Sequence, residues 1–436
     1  MSSRQKIIIF SAIGLVILFI VLAIIIKKPS RQVITLEIWG VNDDPKVFKS
    51  IISTYEQQNR NVDINYTQKE AGSYENDLMK AFAQNKGPDI FIIPGSWIPT
   101  YQDKIAALDL TKDKDYNLRF IQETYPQIVQ DELIDNNSLL GIPLSIDTLA
   151  LYYNKDIFDY SKIPLPPQTW SELLKLVPKL RKTNAQGQIT RAAIALGTND
   201  NITWSTDILS EIMMQLGSKM ADKEKLQVLF DDPINPSSSI SPGVDALSNY
   251  TQFAKPKSQL YTWGNTFPNS IYAFSQGKAV MMIGYNQAQQ IIKSYAPDLR
   301  YGITFFPIIT GDATKIDYGK TMNAVVFNRS KYQQPAWQFL KFLASKGIAQ
   351  YYFSQTQNPP ARLDLITEAT KNSKVGIFAA QILTSRSWYQ FDHQQIDSIF
   401  GKMINDVILG NIAPSQAIDD AASSIELQWY QQTKNQ

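Results

Sequence analysis

The sequence predicts an α/β protein in two lobes, each built on a mostly parallel sheet flanked by helices. Strand and helix signals alternate between residues 33 and about 93. The same alternation starts afresh near residue 145. At 436 residues the chain is also too long for one ordinary core. A parallel strand pair needs a crossover connection, so alternation implies helices on both faces of the sheet.

Val33 to Trp39 reads as the first strand. Asp44-Pro45 can cap and open a helix, with Phe48, Ile51, Ile52 and Tyr55 on one face. Val62 to Thr67 is a second strand, and Tyr74, Leu78, Met79 and Phe82 line the next helix, which Gly87-Pro88 ends. Ile90 to Ile93 is continuously apolar, as expected of a central strand covered on both faces. Leu149 to Tyr153 is the apolar strand that opens the second lobe, and Asn154-Lys155-Asp156 stops it. Pro166-Pro167 then forces extended chain. Thr169-Trp170-Ser171-Glu172 fits a capping box, in which hydroxyl and carboxylate each satisfy an orphan backbone donor.

Ahead of these elements, Ile7 to Ile26 is an apolar run broken only by Ser11 and Gly14. It is long enough to cross a bilayer, and it lacks the short core and small-residue cleavage site of a signal peptide. Arg4, Lys6, Lys27, Lys28 and Arg31 flank it. The net charge of +2 therefore hides a slightly acidic remainder, which argues against a nucleic-acid partner.

Several segments together resemble the extracellular solute-binding proteins of family 1, the sugar-type receptors of bacterial ABC importers. They are Ile34–Gly40 (ITLEIWG), Gly87–Phe91 (GPDIF), Gly141–Leu174 with its DTLALYYNKD and PPQTWSEL runs, Phe274–Met282 (FSQGKAVMM), Ala336–Leu340 (AWQFL) and Gly410–Ala417 (GNIAPSQA). The resemblance implies a two-lobed periplasmic-binding-protein-like fold. Ahead of that fold, the apolar run puts the anchor in residues 1–32, with its helix at about 7–26. Lobe one would take 33–145 and 311–360, and lobe two 146–310 and 361–436. The resemblance also implies an extracytoplasmic domain, a monomer, ABC permease subunits as partners, and no cofactor. Family members tethered by lipid use an N-terminal cysteine. This chain has no cysteine, so the membrane helix would serve as tether instead.

Ligands of open α/β sheets bind beyond the carboxyl ends of the strands. Two loops of lobe one meet that rule: Gly40–Asp44, which supplies Asn42 and Asp43, and Pro94–Trp97. A sugar wants hydrogen-bonding groups for its hydroxyls and flat aromatic faces for its C–H surfaces. Asn42, Asp43 and Trp97 are thus candidates. Asp44 reads better as a helix cap and Trp39 as part core. Asp147 stands where the family often places an acidic contact, with a hinge or turn role as the alternative. Trp204 is a candidate against a helix-entry packing role. Tyr285 and Trp388 match aromatic positions in lobe two, and Trp263 and Arg362 are weaker. Trp170 and Trp337 read as structural.

Catalytic chemistry finds little support. His393 is the single histidine and reads as a surface residue. No G-x-S-x-G, H-E-x-x-H or G-x-x-x-x-G-K-[ST] occurs. Asp113-x-Asp115-x-Asn117 lacks the glycine and glutamate of a calcium loop. The expected function is a membrane-tethered receptor that binds a mono- or oligosaccharide by hinge closure and is not an enzyme. A surface carbohydrate-active enzyme, or the receptor subunit of a membrane sensor, are the alternatives.

Overall fold

A computed structural model of the chain describes residues 33–41, 43–235, 237, 241–309 and 315–434. The expected membrane helix at 7–26 and the candidate Asn42 lie outside the described residues. Among the described residues no helix is long and apolar enough to cross a membrane.

The first lobe opens with Ile34–Gly40 (β1), Pro45–Gln58 (α1), Val62–Gln68 (β2), Tyr74–Ala83 (α2) and Ile90–Pro94 (β3). The Asp44 carboxylate starts α1 by accepting from the Lys46 amide at 2.8 Å, with Pro45 in the first turn. Val47, Phe48, Ile51, Ile52 and Tyr55 then fall on the buried stripe. Burying each such side chain contributes about 1.5–3 kcal/mol. Gln127–Leu133 (α3) and Ile142–Thr148 (β4) complete the first passage through this lobe.

Leu149 alone separates β4 from Ala150–Asn154 (β5), the first strand of the second sheet. Trp170–Leu180 (α4) follows, opened by the expected capping box: Thr169 Oγ1 accepts from the Glu172 amide at 3.2 Å, and the Glu172 carboxylate accepts from the Thr169 amide at 3.3 Å. Next come Lys182–Thr183 (β6), Ile189–Ala195 (β7), Ser205–Gln215 (α5), Ala279–Gly284 (β8) and Tyr301–Phe305 (β9). The chain then returns to the first sheet as Asp317–Val326 (β10), followed by Gln333–Leu343 (α6), Lys346–Thr356 (α7) and Ser385–Arg386 (β11). His393–Leu409 (α8) and Pro414–Lys434 (α9) end the described chain.

The first sheet runs β11-β10-β3-β1-β2, with β4 also paired to β10. The second runs β9-β5-β8-β7-β6. In the first sheet β1 is parallel to β2 and β3, as expected. The second sheet departs from expectation. Only β7 and β8 pair parallel there, whereas β5 pairs antiparallel with β8 and β9, and β6 with β7. The reason is topological. β5 enters directly from β4 of the other lobe, without a crossover helix to reverse its direction. Each sheet carries its own core. Phe48, Phe91 and Trp337 belong to the first, and Tyr152, Phe274 and Trp263 to the second. In the 361–386 segment Ala361, Ile366 and Ile382 pack into the first core, and Phe378 into the second.

Candidate functional site

A cleft open to solvent lies between the two lobes. Gly95, Ser96, Ile98 and Pro99 reach it from the end of β3, and Glu132 and Asp135 from the end of α3. Asp207 on α5, Lys223 and the Ser387–Gln390 segment line it from the other side. Tyr318, Gly319 and Lys320 of β10 lie between. The cleft thus sits beyond the carboxyl end of a central strand, where open α/β sheets bind ligands.

Glu132 is the most constrained group in the cleft. Its carboxylate accepts from Ser387 Oγ at 2.5 Å and from the hydroxyl of Thr321. Burial pushes it up to about 7, against the lowering effect of those two hydroxyls. Gly95 makes room for it: a Cβ there would stand 2.0 Å from Glu132 Oε2. Opposite, Asp207 accepts from the Tyr285 hydroxyl at 2.9 Å. Burial raises its pKa, and the Lys320 ammonium opposes the shift. Trp388 lines the cleft with its indole on Phe400, centroids 5.8 Å apart, and its Nε1 donates to Ser210 Oγ at 3.2 Å. Carboxylates can accept from ligand hydroxyls, Lys320 can donate, and the Trp388 and Tyr389 rings offer apolar faces.

Contacts across the cleft hold the lobes together. Lys223 pairs with Asp135 at 3.6 Å. Gln394 Nε2 donates to Glu75 at 2.6 Å, and Thr100 Oγ1 donates to the Phe391 carbonyl at 3.3 Å. The imidazole of His393 stacks on Trp97, with centroids 4.9 Å apart. This corrects the expectation of a surface histidine: its side chain is only 14% exposed. An imidazole has enough flat apolar surface to be held between lobes, which a lone histidine in a sequence does not reveal.

Of the residues singled out in the sequence, Trp388 lines the cleft; Trp97 does not, though its chain neighbours Ser96 and Ile98 do. Asp43 does not line it. Its carboxylate accepts from the Tyr352 hydroxyl at 2.5 Å, and burial raises it to about 6. Asp147 accepts from the amides of Thr148 and Asn286, at 2.9 and 3.1 Å, which ties β4 to the loop after β8. Burial raises it to about 7. Tyr285 is buried and does not line the cleft; its hydroxyl donates to Asp207, which does. Trp204 caps α5 in the left-handed region, at φ 66°, an uncommon conformation for a non-glycine residue. Its ring packs edge-on against Tyr285 and so close to Gly284 that a Cβ there would meet it at 2.7 Å.

Trp263 is buried, with Nε1 donating to Asn201 Oδ1 at 2.9 Å, and Arg362 pairs with Asp364 at 3.0 Å. Asp113 accepts from the Asp115 and Tyr116 amides and pairs with Lys341, while Asn117 caps the next helix. Sequence reasoning missed Glu132, Asp207 and Lys320. Asp207 carried a signal: with Glu211 it forms an i, i+4 acidic pair in the STDILSEIMMQ helix, whose other residues carry no charge. Glu132 and Lys320 sit in ordinary polar surroundings and carried none.

Residues 39–350 match the family model of the bacterial extracellular solute-binding protein. The chain belongs to that family. A galactooligosaccharide-binding protein of Bacillus subtilis (strain 168) is 22% identical over 412 residues, covering 91% of this chain and 90% of its own. Among solved structures, the cyclic alpha-maltosyl-1,6-maltose binding protein from Arthrobacter globiformis superposes with a TM-score of 0.74 at 17% identity, over 91% of this chain and 99% of that one. A solute-binding protein from Thermotoga lettingae TMO, bound with alpha-D-tagatose, gives 0.70 at 21% identity, over 91% and 100%. These likenesses establish the two-lobed fold of a solute-binding protein.

Proposed function

We propose that this solute-binding protein is an extracytoplasmic receptor that captures a mono- or oligosaccharide between its lobes and presents it to the permease subunits of an ABC importer. The observation that carries the reading is the cleft itself. It is lined from one lobe by Glu132 and from the other by Asp207 and Trp388, which suits hydroxyls on both edges and a C–H face. The names of the relatives, a galactooligosaccharide-binding protein among them, support the same ligand class. The lobes close on the ligand about the crossings at Leu149 and Ser387, so the ligand stabilises the shut state. The protein acts as a monomer without a cofactor, and it binds its ligand unchanged. The helix at 7–26 tethers it to the cell membrane with the lobes outside.

Thermal unfolding with a panel of saccharides tests this reading. A ligand at a hundredfold excess over its Kd adds about 2.7 kcal/mol to the native state. At least one saccharide should raise the melting temperature and be recovered intact. A panel without any shift, or recovery of hydrolysed glycan, would contradict it.

A further inference from the structure

Ile98, Pro99 and Gln390 line the cleft, and the residues beside them in the chain, Trp97 and Phe391 to His393, bring the lobes into contact. There the His393 imidazole lies on the Trp97 indole, with centroids 4.9 Å apart and planes 19° from parallel. The indole is braced in turn by Tyr74 and Tyr101, with centroids 6.1 and 6.0 Å away. The imidazole is held in place from two directions. Asp392 caps its helix, accepting from the Gln394 and Gln395 amides at 3.0 and 3.1 Å. Glu75 reaches across from the first lobe, its carboxylate 3.4 Å from His393 Nε2 and bonded to Gln394. The Thr100 hydroxyl bonds to the Phe391 carbonyl beside them.

An indole next to a sugar cleft is a surface on which a sugar ring would pack. Here the chain's own imidazole takes that place. Burial pushes His393 down to about 4, so the ring is uncharged near neutral pH and behaves as a flat, apolar plug. We propose that His393, stacked on Trp97, is the end wall of the cleft and sets the length of saccharide it accepts. The inference rests on the carbohydrate reading above. A short saccharide fits between Glu132 and Trp388. A further ring toward residue 97 collides with the imidazole, and removing that imidazole uncovers the indole as an extra subsite.

The test is calorimetric titration of the full-length protein with two ladders, α-1,4-linked glucose oligomers and β-1,4-linked galactose oligomers of one to five units. In the native protein, affinity should stop rising at a short length. His393→Ala should gain roughly three- to tenfold for the next longer oligomer and little for the shorter ones. His393→Phe keeps a flat ring on Trp97, so it should restore the native length limit and guards against a variant that merely unfolds. If oligomers bind but the His393→Ala profile runs parallel to the native one, the end wall lies elsewhere and the inference is wrong. If no member of either ladder binds native protein or variant, the carbohydrate reading has failed and this inference with it.

Discussion

Gly95 and Glu132 are in such close contact that any side chain at residue 95 would displace the carboxylate. A Cβ there would lie 2.0 Å from Glu132 Oε2 and 2.5 Å from Thr321 Oγ1. The break in β3 at Pro94-Gly95 is therefore what lets an acid from α3 reach the cleft. Gly95→Ala should cost about 1–3 kcal/mol of stability by overpacking and should weaken ligand binding in the same variant. Calorimetric unfolding and a ligand titration check both effects. A variant with native stability and native affinity would show that the contact is not tight in solution.

Two tryptophans separate binding from packing. Trp388 faces the cleft, so Trp388→Ala should cost about 2 kcal/mol of binding, roughly thirtyfold in Kd. Trp337 is 6% exposed and its Nε1 donates to the Ala106 carbonyl at 2.8 Å. Trp337→Ala should cost about 3–5 kcal/mol of stability and leave Kd near native in the molecules that fold. Reversed behaviour of the two variants would mean that Trp388 does not face the ligand.

Stability should rise as the solution is made mildly acidic. Burial raises Glu132 and Asp147 to about 7 and Asp43 to about 6, all above their ordinary values. The folded chain then binds more protons than the unfolded chain over roughly pH 4–7, so unfolding free energy falls as pH rises through that window. His393 works the opposite way. Its folded value, about 4, lies below the ordinary 6.5, so it destabilises the fold as pH falls below about 6.5. Three carboxylates outweigh one imidazole. The protein should be about 2 kcal/mol more stable at pH 6 than at pH 8, and Asp147→Asn should remove about 1 kcal/mol of that difference. Urea titrations at the two pH values give the numbers, and equal midpoints would refute the assignment of these shifts.

The proposed tether has its own test. The full-length protein should stay with membranes through a high-salt wash, because an apolar span resists ionic extraction. A chain starting at Val33 should be released into solution. Full-length protein that leaves the membrane in salt, with the 7–26 segment intact, would exclude a spanning anchor.

Local signals in the sequence located the first lobe's elements closely, because capping and burial act over a few residues. Asp44 caps α1 and the Thr169 and Glu172 pair closes its capping box, both as read from residue types alone. Met79, expected on the buried face of α2, is instead 52% exposed. The direction of β5 was not legible, since it depends on a lobe crossing at Leu149 that leaves no local trace. The cleft was only partly legible. Trp388 stood out through its match to an aromatic position of the family in lobe two. Glu132 and Lys320 owe their place to the meeting of α3, β10 and the 387–390 segment, which are far apart in the chain. Asp43 and Asp147 did look like ligand contacts, but folding turns them to the Tyr352 hydroxyl and to backbone amides.

The central claim is that one ligand is held from both lobes at once. Calorimetric titration of Glu132→Gln and Asp207→Asn, one acid from each side of the cleft, tests it most directly. At pH 8, above the raised value of about 7 for Glu132, a hydrogen bond to a charged group contributes about 1.5–3 kcal/mol, so each variant should lose roughly tenfold or more in affinity for a saccharide that binds the native protein. If that saccharide binds both variants as tightly as the native chain, it is not held in this cleft.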